Sequence, residues 1–130
     1  MQWAAAAMVV AARPFWPQAP AVRPSKGNVM TMVDFAATFA RLKAAGCTEE
    51  TTQCGGVAVR LVRVAGGGEG QWGSHSDTTE TVIVWSGDFT VEFSDSVVHL
   101  GPGQCCVVPV DAQHRGTSKA GAEVVLFQNT

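Results

Sequence analysis

Apolar and polar positions change period along this chain, and the change divides it into regions. After Asp34, Phe35, Phe39 and Leu42 recur at helical spacing. Asp34 has the side chain of an N-cap and Gly46 the freedom of a C-cap, which predicts a short helix over 35–45. From Gly55 onward the period becomes two: Val57, Val59 and Leu61 alternate with Ala58, Arg60 and Val62. Compact β-branched or aromatic runs follow at 81–85, 89–93, 97–100, 105–110 and 123–127. Turn residues separate them: Gly66-Gly67-Gly68, Ser86-Gly87-Asp88, Ser94-Asp95-Ser96, Gly101-Pro102-Gly103 and Asp111. Short strands at regular spacing predict an all-β antiparallel sandwich or barrel, with the helix as a lid on its sheet. No helical pattern interrupts the strands, which excludes a parallel α/β sheet.

The first 29 residues read differently. An Ala-rich run passes into Arg13-Pro14-Phe15-Trp16-Pro17-Gln18-Ala19-Pro20 and then Arg23-Pro24. Proline at this density is incompatible with a helix or a central strand, so residues 1–29 are expected to form an extended arm ahead of a barrel domain at 30–130. Met30 and Met32 are each plausible starts, which would make the arm a non-native extension. The other reading lays the arm across a partner subunit through Phe15 and Trp16.

Composition narrows the function classes. Hydrophobic residues make up 46% of the 130 and charged residues 15%, enough apolar material for one core. The net charge of −2, with no cluster of Lys and Arg, gives no footprint for nucleic acid. The longest apolar run, Trp3 to Ala12, is far short of the roughly 20 residues that cross a bilayer. No Lys or Arg precedes it, as a signal peptide would require. Cys47, Cys54, Cys105 and Cys106 form no C-x2-C pair, and adjacent strand residues Cys105 and Cys106 face opposite ways. Small buried hydrophobes in a reducing cytoplasm is the ordinary reading of such cysteines.

Two stretches carry the candidate chemistry. One runs Gly70-Gln71-Trp72-Gly73-Ser74-His75-Ser76-Asp77-Thr78-Thr79-Glu80, with Gly87 beyond it. The other runs from Gly103 through Cys105, Cys106 and Pro109 to His114-Arg115, ending at Ser118. Together they resemble the paired motifs of the cupin superfamily, G-x5-H-x-H-x3-4-E-x6-G and G-x5-P-x-G-x2-H-x3-N, in its small single-domain conserved-barrel form. That resemblance, over about residues 33–128, implies a double-stranded β-helix, the jelly-roll barrel. It implies His75, Glu80 and His114 as ligands of a divalent metal in the lumen, with Fe, Mn, Ni, Zn and Cu all suited to two imidazoles and a carboxylate. It also implies a small-molecule ligand and a homodimer.

The chain departs from the pattern at three positions. Gly73 stands where the motif has its first His. The alternative register makes His75 the first ligand and Asp77 the second, and then spaces Glu80 too closely. Asp111 replaces a motif Gly at a turn expected to need positive φ, which Asp tolerates better than most residues. Ser118 replaces the motif Asn and is expected to serve structure rather than ligation.

Weaker pocket candidates are Gln71, Gly73, Cys106 and Phe93, with Val82, Val84, Phe89, Val107 and Leu126 as an apolar lumen. Arg60, Arg63 and Arg115 are possible anion holders, although exposed ion pairs are their commoner use. His99, with Val98 and Leu100 on the opposite face, reads as an ordinary strand residue. Two function classes follow. One is a metal-dependent enzyme on a small organic molecule, oxygenase- or isomerase-like, with Gly73 leaving room at the metal. The other is a non-catalytic binding or sensing barrel with a degenerate or metal-free site.

Overall fold

A computed structural model describes residues 32–129. The proposed arm at 1–29, with Phe15 and Trp16, lies outside them. Helix α1 spans Phe35–Ala45. Asp34 caps it by accepting a hydrogen bond from the Ala37 amide at 3.0 Å. Gly46 ends it at φ 68°, the left-handed conformation the sequence predicted for a C-cap.

Eight strands follow: β1 (Glu49–Cys54), β2 (Val57–Val64), β3 (Thr79–Gly87), β4 (Phe89–Phe93), β5 (Val97–Leu100), β6 (Cys105–Val108), β7 (His114–Thr117) and β8 (Ala122–Asn129). They form a five-stranded sheet in the order β1-β2-β8-β3-β6 and a three-stranded sheet in the order β5-β4-β7. The pairings between them are antiparallel. The jelly-roll expectation therefore holds. Two strands escaped the sequence reading. β1, Glu-Glu-Thr-Thr-Gln-Cys, is an edge strand with no large apolar residue to mark a buried face. β7, His-Arg-Gly-Thr, shows no hydrophobic alternation at all.

The strand alternation sorts side chains onto two faces. Val82, Val84, Val108, Ala122 and Val124 of the large sheet meet Phe89, Val91 and Leu100 of the small one to form the core between the sheets. The opposite face of the large sheet, with Val59, Leu61 and Val125, is covered by Phe39 and Leu42 of α1. The helix is thus the lid that its apolar spacing predicted. Trp85 sits at the edge of this cover, its ring 5.8 Å from Phe35. One lumen assignment is corrected: Val107 is 37% exposed and lies on the outer face, because its neighbours Cys106 and Val108 take the inward positions.

Candidate functional site

The two motif stretches are joined by their backbones. Gly73 and His114 exchange a pair of hydrogen bonds, N–H to O=C, at 3.0 and 2.9 Å. The Asp111 amide donates to the His75 carbonyl at 2.8 Å. Asp111 adopts φ 63°, as expected for a residue standing at a glycine position of the turn. These bonds lay the segment around Gly73–His75 alongside the start of β7. They do so without a regular strand there: Gly73 makes an isolated bridge.

Glu80 enters from β3, where alternation turns it inward with Val82 and Val84. The three sequence-predicted ligands converge. His75 Nε2 lies 3.2 Å from Glu80 Oε2, and His114 Nε2 lies 3.4 Å from Glu80 Oε1. One donor atom from each residue falls within 4.8 Å of the others. Glu80 is 8% exposed, so a buried carboxylate faces two imidazoles. Asp77, the ligand of the alternative register, is exposed in a bend and stands outside this group.

Two imidazoles and a carboxylate are the donor chemistry of a divalent metal site, with one donor from each residue within 4.8 Å of the others. His114 Nδ1 is 2.9 Å from the Ala112 carbonyl, which can only accept. Nδ1 therefore carries the proton, and Nε2 turns a lone pair toward Glu80. His75 Nδ1 is instead 3.3 Å from the Gln128 amide nitrogen, and Thr78 Oγ1 is 3.3 Å from the Gln128 amide oxygen. Gln128 is the neighbour the sequence did not reveal. Its place beside the site follows from the β8 register, which sets it opposite Glu80 and carries no signal in the sequence.

The absent motif ligand leaves real space. A Cβ built at Gly73 meets nothing within 4 Å. Being the direct cross-strand partner of His114, that Cβ would point to the same face. A cavity of about 470 Å³ opens there, lined by Gln71, Gly73, His75, Glu80 and His114 and by the apolar Val62, Val64, Val82, Phe89, Val91 and Leu126. Gln71 itself is exposed at the rim. Cys106 and Phe93 pack against the inner core and are not among the lining residues. Burial pushes the Cys106 thiol above its ordinary pKa, with Cys105 adding to the effect. The Phe93 ring lies 6.4 Å from that of His114, a packing partner for the imidazole.

The arginines differ in their partners. Arg115 borders the cavity but is held by its neighbours, its Nε 2.6 Å from Glu92, its Nη1 3.3 Å from Glu69, and its guanidinium 5.1 Å over the Trp72 ring. Arg63 donates to the Cys47 carbonyl at 3.3 Å. Arg60 pairs with Glu49 at 2.8 Å and faces inward. His99 is exposed and bonds Thr90 across the outer face of the small sheet. Ser118 is buried, donating to the Asp88 carbonyl at 2.6 Å and accepting from the Gly121 amide at 2.9 Å. That is the structural role expected of it.

Comparison with known proteins agrees with the fold. Residues 60–127 match the family model described as a cupin domain. No curated protein matches the chain. Among solved structures, a cupin-2 domain protein from Shewanella frigidimarina is similar at 22% identity and TM-score 0.67, over 76% of this chain and 95% of that one. A protein from Neisseria meningitidis is similar at 23% identity and TM-score 0.67, over 77% and 100% of the two chains. KdgF from a Halomonas species is similar at 20% identity and TM-score 0.55, over 63% of this chain and 79% of that one. At such identities the likeness speaks for the fold alone.

Proposed function

This chain belongs to the cupin domain family, and on that premise we propose that it holds a divalent metal ion through His75, Glu80 and His114 and acts on a small organic molecule in the barrel lumen. The observation that carries this reading is the convergence of two imidazoles and a buried carboxylate, one donor from each within 4.8 Å of the others, beside a largely apolar cavity. When bound, the ion supplies Lewis acidity or a site for dioxygen, which suits oxygenase- or isomerase-like chemistry. The chain's own residues do the rest. Gly73 keeps one side of the site open for substrate, and the valines, Phe89 and Leu126 exclude water from its apolar part. The Ala112 carbonyl holds the His114 ring in its binding tautomer. We further propose a homodimer working in the cytoplasm, in keeping with four free thiols at Cys47, Cys54, Cys105 and Cys106.

Elemental analysis of tag-free protein purified without chelator tests the reading. The expected result is near-stoichiometric metal, lost in both His75→Ala and His114→Ala. Gly73→His should tighten binding by adding a ligand where space exists. Failure to take up Fe(II), Mn, Ni or Zn after anaerobic loading would overturn the metal assignment. It would leave a metal-free binding barrel.

A further inference from the structure

The cavity carries a chemical bias beyond its metal site. Inward-facing residues lie in rows across the large sheet. One row runs Thr51, Arg60, Leu126, Val82, Cys106 through successive strands. The next contains Gln128, Glu80 and Val108. Arg60 thus stands two strands and one two-residue step from Glu80, about 12 Å between backbones from ordinary sheet spacings. A second cavity of about 470 Å³, lined by Thr51, Ala58, Arg60, Glu80, Leu126 and Gln128, shares three of these residues with the first. Arg60, Leu126 and Glu80 therefore form the wall common to both.

Among the described residues, the three arginines of the first cavity differ sharply in availability. Arg115 is engaged by two carboxylates and an indole, and Arg63 turns to the Cys47 carbonyl. Arg60 has one partner, Glu49, and both side chains are about half exposed, at 48% and 53%. Such an ion pair is worth little in water and yields readily to a competing anion.

We propose that the ligand is an apolar monocarboxylate whose carboxylate pairs with Arg60 while its other end lies at His75, Glu80 and His114. This rests on the proposed site but not on its metal. The guanidinium offers a planar fork that a carboxylate fills with two hydrogen bonds. Leu126 and Val82, in the same row, lie along the path from Arg60 toward the triad and suit a hydrocarbon body. Glu49 puts negative charge beside Arg60, which disfavours a dianion such as a phosphate monoester.

Calorimetric titration of the full chain with hexanoate, hexanamide and hexyl phosphate tests this, zinc-loaded and after chelator treatment. Hexanoate should bind at least about tenfold tighter than the other two, in line with a charge-assisted bidentate contact. Arg60→Gln should remove that preference. Glu49→Gln should strengthen hexanoate binding by freeing Arg60, an opposite change that misfolding cannot mimic. Preference that survives chelation supports the proposal even if the metal assignment fails. Equal binding of hexanoate and hexanamide, no binding of hexanoate, or hexanoate binding indifferent to Arg60→Gln overturns it. Binding lost on metal removal but kept in Arg60→Gln makes the metal the carboxylate's partner and equally overturns it. Tighter binding of hexyl phosphate refutes the assignment of a monoanion.

Discussion

The two histidines of the site differ in what holds the nitrogen turned away from Glu80. A backbone carbonyl fixes His114, whereas an amide side chain that can donate or accept faces His75. With the Gln128 nitrogen toward Nδ1, the His75 proton belongs on Nε2, facing Glu80 Oε2. Metal binding through Nε2 needs the reverse tautomer, and rotation of the amide supplies it, exchanging the roles of the Thr78 hydroxyl and Gln128. Gln128→Glu, which can only accept, should therefore raise metal affinity, and Gln128→Leu should lower it by about tenfold or more. Competition with a chromophoric chelator measures both. At the turn below, Asp111 pays the steric cost of positive φ. Asp111→Ala should destabilise the fold by about 1–2 kcal/mol in denaturant titration, and Asp111→Gly should not.

The connection between β3 and β4 is held by an acid. The Asp88 carboxylate accepts from the Lys119 amide at 2.9 Å and the Ala120 amide at 3.1 Å, tying this turn to the segment before β8. These donors, the Lys119 amide first, hold its pKa below the ordinary 3.8. A carboxyl depressed in the folded state stabilises fully above its unfolded pKa and loses that contribution as pH falls through the folded value. The gap in denaturation midpoint between wild type and Asp88→Ala should therefore be constant near neutrality and shrink below pH 3.8. Glycines complete the junction: a Cβ at Gly87 would strike the Gly121 carbonyl oxygen, so the φ of 82° there leaves no alternative residue. Much of this was legible in the sequence. Capped α1 and the strands with apolar alternation appeared near their true positions, and the resemblance to the cupin motifs implied that His75, Glu80 and His114 meet. β7 did not, because its inward positions are His114 and Gly116, a ligand candidate and a residue whose Cβ would collide with the Phe89 ring. A strand given over to a site and a close approach has no hydrophobic period to read. Gln128 and the inward aim of Arg60 were hidden for a different reason: both depend on strand register, which one sequence does not display.

At the scale of the molecule, two apolar clusters share the large sheet but not its faces. One lies between the sheets and bears the site; the other lies under α1. Phe39 is 1% exposed in the second cluster. Phe39→Ala should cost about 3–5 kcal/mol by thermal or chemical unfolding while leaving metal stoichiometry at low temperature unchanged. No helix among the described residues is long and apolar enough to cross a membrane. The halves of the site are fastened by main-chain bonds at Gly73, His75, Asp111 and His114, none of which depends on the side chains that meet the ligand. Position 73 can therefore hold either a glycine or a histidine without dismantling the cradle, since its bonds to His114 use the main chain alone and a Cβ there meets nothing.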